Sequence, residues 1–129
     1  MAKKGLPRPT DAELAILRVL WQRGPSTVRE VTEALAATRE VGYTTALKLL
    51  QIMTDKGLVR RDEAQRSHVY AARLSEEQTQ KQLVRDLLER AFGGSAQKLV
   101  MRALAVRRAS PEELAEIRRL LDEIERGTP

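Results

Sequence analysis

The sequence predicts a mainly α fold of six helices with one short β-hairpin inserted after the third, and three observations carry that expectation. A hydroxyl residue followed three positions later by an acid or amide recurs four times, at Thr10 to Glu13, Thr27 to Glu30, Ser75 to Gln78 and Ser110 to Glu113. Each pair can open a helix by satisfying free amide donors reciprocally. Apolar residues then recur at helical spacing, and only around Leu58 to Ala71 does the period shorten to that of a strand. The 129 residues are 42% hydrophobic, 32% charged and 3% aromatic, so the core of a soluble globular chain must be built from Leu, Val, Ile, Ala and Met.

The first helix is expected over residues 10–23, with Leu14, Leu17 and Trp21 on one face and Leu20 and Ile16 widening it. Trp21 continues that stripe and reads as a core anchor. Gly24-Pro25 ends this helix, and a second, over 27–36, offers Val28, Val31 and Leu35 to the same interior. A third, over 43–56, closes at Gly57 as a left-handed cap. Its Ala46, Leu50 and Met53 form an apolar stripe, joined by Leu49 and edged by Leu47 and Ile52, while Thr44, Lys48, Gln51 and Asp55 lie opposite with Thr45 adjoining. Hydroxyls, an amide and one lysine suit a nucleic-acid groove, because they bond base edges or phosphates and a Thr methyl packs on a thymine methyl. Taken alone, such a face equally fits plain solvent exposure.

After Gly57 the chain alternates as a strand over Leu58–Asp62, a polar turn over Glu63–Ser67 and a second strand over His68–Ala71. Val59, Val69 and Tyr70 are expected to face the helices, leaving Arg60, Arg61 and Arg66 toward solvent. An isolated hairpin is marginal and should pack on the helices before it. Three helices with such a hairpin make a winged helix-turn-helix, with Arg66 at the wing tip available to the DNA backbone or minor groove.

Charge supports that reading. The net charge is +5, and residues 1–74 hold thirteen basic against eight acidic side chains while residues 75–129 hold ten of each. The whole excess therefore lies in the first part, where a polyanion partner would select for it through counterion release.

The second part reads as three further helices, over 75–92, 95–106 and 110–126, with Gly93-Gly94 breaking the first from the second and Pro111 at the first position of the last. Leu114, Ile117, Leu121 and Ile124 are spaced as a helix-packing seam, which Leu120 broadens. Leu83, Leu87, Leu88 and Phe92 line the fourth helix, and Leu99, Val100, Ala103 and Leu104 the fifth. Three short helices cannot hide this much apolar surface alone, so a homodimer is expected; a hairpin folded back on the first domain is the alternative. A two-fold pair would set two reading helices roughly 34 to 36 Å apart on one DNA face. Residues 1–9 and the final Gly127 to Pro129 read as frayed ends.

Other classes are poorly supported. There is no cysteine, which removes disulfides, thiolate metal sites and a cysteine nucleophile and makes the cytoplasm the simplest compartment. No apolar run follows Lys3 and Lys4, and none is long enough to span a bilayer, so neither export nor membrane anchoring is expected. The single histidine, His68, stands on a strand with no acid-base partner at motif spacing and fits a strand-facing or phosphate-facing role better than a catalytic one. No phosphate loop, metal site or cofactor signature is present.

The segments "DAELAILRVLW", "TVREVTEAL", "YTTALKLLQIMTDKGLV" and "RSHVYAARLS", in that order, resemble the penicillinase repressor family, the BlaI, MecI and CopY type of bacterial transcriptional regulator. The resemblance runs from Thr10 to the final helix. It implies a winged-helix DNA-binding domain over 1–74 and a helical dimerisation domain over 75–129, carried by Leu83, Leu87, Leu88, Leu114, Ile117, Leu121 and Ile124. It further implies a homodimeric repressor of a palindromic double-stranded DNA operator, controlling β-lactamase-like or neighbouring genes, with no enzymatic activity. Tyr43, Thr44, Thr45 and Lys48 match the start of the family's reading helix, with Gln51 one turn on, and Arg66 to His68 match its wing; Ile52 stands where many relatives have Arg. Family members are released when a sensor protease pathway leads to cutting of an Asn-Phe bond in the fifth helix. Arg102-Ala103 occupies that place here and departs from it, and the copper-responsive branch's cysteine pairs are absent. The rival expectations are a helical protein-interaction adaptor whose basic front binds an acidic partner, and a regulator of the same fold that activates or answers to another trigger.

Overall fold

The computed structural model describes residues 7–38, 41–64 and 66–127 and divides the chain into two compact units, Met1–Arg85 and Asp86–Pro129. In the first unit, helix α1 (Asp11–Arg23) is followed by a two-residue strand β1 (Ser26–Thr27), helices α2 (Val28–Leu35) and α3 (Tyr43–Lys56), strands β2 (Val59–Asp62) and β3 (Val69–Ala72), and the start of α4 (Glu76–Ala91). The second unit holds the end of α4, then α5 (Ala96–Val106) and α6 (Pro111–Glu125). Of the ends read as frayed, residues 1–6 and 128–129 lie outside the described residues.

The helices start where their caps dictate. Thr10, Thr27, Ser75 and Ser110 each accept from the amide three residues on, while the side chain of Glu13, Glu30, Gln78 or Glu113 accepts from the cap amide in return. Ser95 caps α5 with one such bond, from Lys98. At the end of α3, Gly57 adopts φ 84° and ψ 16°, a left-handed conformation that lets its own amide reach the Thr54 carbonyl and that of Leu58 the Met53 carbonyl. A side chain with a Cβ is strained in that conformation, so the turn from helix to wing depends on glycine there.

The wing is more than a hairpin. β3 is the central strand of a three-stranded antiparallel sheet ordered β1-β3-β2, with Ser26 opposite Tyr70 and Thr27 opposite Val69 on one side and Val59 opposite Ala72 on the other. The extra strand has no periodic signal because it is two residues long and merges into the cap of α2. Its backbone groups are paired by β3, as buried amides require. Tyr70, rather than Val69, is the side chain of β3 that is wholly buried, and Val69 is only half-buried.

The core of the first unit joins Ile16, Leu17 and Leu20 of α1, Val31 and Leu35 of α2, Leu50 and Met53 of α3, and Leu58, Val59 and Tyr70 from the sheet side. On α1 the buried face differs from the expected one. It is centred on Glu13, Ile16, Leu17 and Leu20, and Leu14 and Trp21 sit half-buried at its rim. The rotation has two physical causes. Glu13 is drawn inside by Lys56, and the Trp21 indole Nε1 must reach the rim to donate to the Leu74 carbonyl at 3.0 Å.

In the second unit the helix order and breaks match the reading. Gly93 and Gly94 both have positive φ between α4 and α5. Among its described residues none is buried. No helix among the described residues is long and apolar enough to cross a membrane.

Candidate nucleic-acid interface

The third helix is held by its apolar stripe and by both ends. Ala46, Leu50 and Met53 are fully buried, so helical phase forces Thr44, Lys48, Gln51 and Asp55, with Tyr43 and Thr45, to the exposed side, where the structure has all of them. Ile52 is also exposed, at 39%, an apolar side chain beside the polar stripe. At the C-terminal end, Lys56 Nζ donates to Glu13 Oε1 at 2.7 Å and to the Arg8 carbonyl at 3.3 Å. Glu13 is 3% exposed. Burial opposes its ionisation, but the Lys56 bond and charge and the Thr10 amide outweigh it, and the carboxyl titrates below its ordinary value. This pair clamps the end of α3 to the start of α1.

At its N-terminal end α3 is capped by Gly42, which makes no side-chain cap bond. Among the described residues, the first-turn amides therefore lack the cap side-chain acceptor that the other helices have, at the positive end of the helix dipole. Tyr43, 51% exposed, stands there beside the wing. Arg66, Ser67 and His68, all exposed, line a groove of about 390 Å³ together with Tyr43 and with Arg29 of α2. Thus Tyr43, Arg66 and His68 are brought together, while Thr44, Thr45, Lys48 and Gln51 continue along the exposed side of α3. Arg60 and Arg61 are exposed as expected, but Arg61 is tied down. Its guanidinium is held further above its ordinary value, first by the Tyr70 side chain and then by Glu63, with which it pairs at 2.6 Å. Asp62 Oδ1 accepts from the Ala64 amide at 2.9 Å and shapes the wing turn. Gln65, within that turn, lies outside the described residues.

Arg29 was not legible as part of this face. It lies in the first turn of α2 and reads as ordinary helix surface until the fold sets it beside Tyr43 and the wing. Of the seam residues, Leu83 belongs to the first unit and Leu87, Leu88, Leu114, Ile117, Leu121 and Ile124 to the second. Leu87, Leu121 and Ile124 are exposed, and the others half-buried. Arg102 and Ala103 lie within α5, both exposed, and the Ala103 carbonyl accepts from the Arg107 amide. Among the described residues no group of three His, Cys, Asp or Glu side chains could hold a metal ion.

Three helices, the third buried on one side and polar on the other, backed by a three-stranded sheet, define a winged helix-turn-helix protein of the DNA-binding regulator class. The penicillinase repressor profile matches residues 9–123. The chain belongs to that family: it is a BlaI-type transcriptional repressor, not an enzyme. It is 38% identical over 129 residues to the transcriptional regulator BlaI of Mycobacterium tuberculosis, covering 98% of this chain and 91% of that protein. It is 26% identical over 120 residues to the penicillinase repressor of Bacillus licheniformis, covering 93% and 94%. The solution structure of the DNA-binding domain of the repressor BlaI matches with a TM-score of 0.50 and 27% identity over 57% of this chain and 90% of that one. The monomeric form of Bacillus licheniformis BlaI, solved in complex with the blaP half-operator, matches with a TM-score of 0.50 and 26% identity over 57% and 89%.

Proposed function

We propose that this chain represses transcription as a homodimer, each protomer laying α3 in the major groove of one half of a palindromic operator and resting its wing on the adjacent backbone. The observation that carries the reading is the polar side of α3, exposed from Tyr43 to Gln51 and flanked by the cationic wing. Thr44, Thr45, Lys48 and Gln51 supply base-edge and phosphate contacts, and Arg66 and His68 position the wing. The Bacillus licheniformis relative bound to a half-operator supports one protomer per half-site. β-Lactamase-like or neighbouring genes are the proposed targets, and the cytoplasm is the compartment in which such a repressor works.

Dimerisation through the second unit is supported by its exposed apolar side chains, Leu121 at 55% and Ile124 at 61% among them. Cutting at the place the family uses in α5 would fall on Arg102-Ala103, a bond without the family's Asn-Phe pair. That departure counts against release at this bond and leaves a sensor protease pathway acting elsewhere, or another trigger, as the routes of release.

Selection of bound sequences from a random duplex pool tests the reading, followed by titration of the winner and its scramble across a salt series. Enrichment of a two-fold symmetric site with discrimination against the scramble is the expected result. Equal, purely salt-driven binding to both duplexes would overturn it in favour of an adaptor with a basic front.

A further inference from the structure

The groove between α2, α3 and the wing holds a cationic cluster that the reading of α3 alone does not use. Arg29 enters it from α2, Arg66 and His68 from the wing, and Tyr43 and Leu47 from the first turns of α3. None of its lining residues is a carboxylate. Neighbouring arginines behave differently: Arg23 pairs with Glu30 at 3.8 Å and Arg61 with Glu63 at 2.6 Å. Arg29 and Arg66 have no such acid among the described residues, and both line this open groove. Like charges lining one groove without an internal anion repel one another, and a phosphate oxygen bound there turns that cost into attraction.

We propose that Arg29 is a phosphate-positioning residue, which with Arg66 and His68 seats one backbone phosphate of the operator strand next to the start of α3. The inference rests on the operator-binding reading and adds to it a third element, α2, that grips the duplex. A DNA phosphate is the occupant because Tyr43 and Leu47 line the same groove. An anion held there therefore abuts the helix proposed to enter the duplex. A guanidinium suits that position because its planar fork can take two phosphate oxygens at once. Seating a phosphate at this corner fixes how far and at what angle α3 enters the groove, without itself reading sequence.

The test is a titration of full-length wild type, Arg29→Ala, Arg29→Gln and Arg29→Lys with the selected palindrome and with its scramble, each over a salt series. Circular dichroism melts check the fold, which should be unaffected because Arg29 is exposed. The expected result is that Arg29→Ala and Arg29→Gln weaken both duplexes by the same factor, about tenfold. The slope of log affinity against log salt should become shallower by about 0.9 per protomer, and so by roughly 2 for a dimer. Arg29→Lys keeps the slope. An unchanged slope in the Ala and Gln variants overturns the contact. Loss of palindrome affinity with the scramble unaffected also overturns it, since Arg29 would then be reading a base. If wild type itself shows no preference for the palindrome, the operator reading falls, and the slope of the Arg29 variants still decides whether Arg29 meets a phosphate.

Discussion

The two units of this chain use the same helical grammar and end with opposite surfaces. In the first, thirteen hydrophobic side chains are buried among the described residues, drawn from three helices and the sheet or the residue leading into it. In the second no described residue is buried, although α5 and α6 are as clearly amphipathic as α1 and carry comparable caps. The difference lies in topology. The first unit crosses its elements, so that α1, α2, α3 and the sheet each cover one side of a common interior. The second has only short helices with one apolar stripe each and nothing of its own to close over them. An amphipathic pattern therefore specifies that a face will be covered, and the arrangement of the remaining elements decides whether the same chain can cover it.

The sharpest way to break the comparison is to charge the uncovered face. If a second copy covers it, the paired Leu121→Glu and Ile124→Glu changes place four carboxylates in a two-fold interface. Self-association should then weaken by about a thousand-fold, or about 4 kcal/mol. Sedimentation equilibrium of both forms measures this, with the thermal melt of the first unit expected to stay where it was. Wild-type association by the charged variant would mean that the stripe is covered by something other than its twin.

How much of this was legible beforehand follows the same division. The helices fall within about a residue of their expected ends because capping boxes are local devices, written over four adjacent residues. The polar stripe of α3 was legible because a buried Ala46, Leu50 and Met53 leave helical phase no choice. Features made between distant segments were not. β1 exists only because β3 pairs with it across more than forty residues, and the burial of Glu13 depends on a lysine 43 positions away. Arg29 joins the wing groove through packing that no window of sequence contains. A polar residue at the head of an apolar stripe could have hinted at Glu13, but nothing local named its partner.

That long-range clamp gives the next test, since the first unit should owe to it a stability that the second cannot show. Lys56→Ala leaves the Glu13 carboxylate buried without its counter-charge, and because Lys56 is itself partly exposed the loss should be moderate, about 2 kcal/mol in urea unfolding. The pH dependence carries a definite sign. The folded-state carboxyl of Glu13 titrates below its ordinary 4.5, so its ionised form adds stability at pH above 4.5. That contribution is lost as the pH falls through the folded value beneath it. Wild type should therefore lose stability more steeply than Glu13→Gln below about pH 4.5. Parallel acid curves for the two proteins would show that the pair contributes nothing.

The smallest effect sharpens the comparison most, because the two units contain the same device in different settings. Thr27 opens α2 and Ser110 opens α6, each with a complete capping box. Replacing either hydroxyl by Ala removes one acceptor from a helix N-terminus and should cost about 1 kcal/mol. In Thr27→Ala that loss falls on a helix packed into a closed core and should appear as a shift in the unfolding midpoint that is independent of protein concentration. In Ser110→Ala it falls on a helix of fifteen residues with no buried side chain, a length at which isolated helices are marginal. If that helix is held mainly by a partner, the loss is coupled to association. With one such loss in each protomer, it should then appear as a weaker dimer, about thirtyfold, with a midpoint that moves with dilution. Equal, concentration-independent shifts in both variants would mean that α6 is stable without a partner, and the second unit would then resemble the first more closely than its exposed surface suggests.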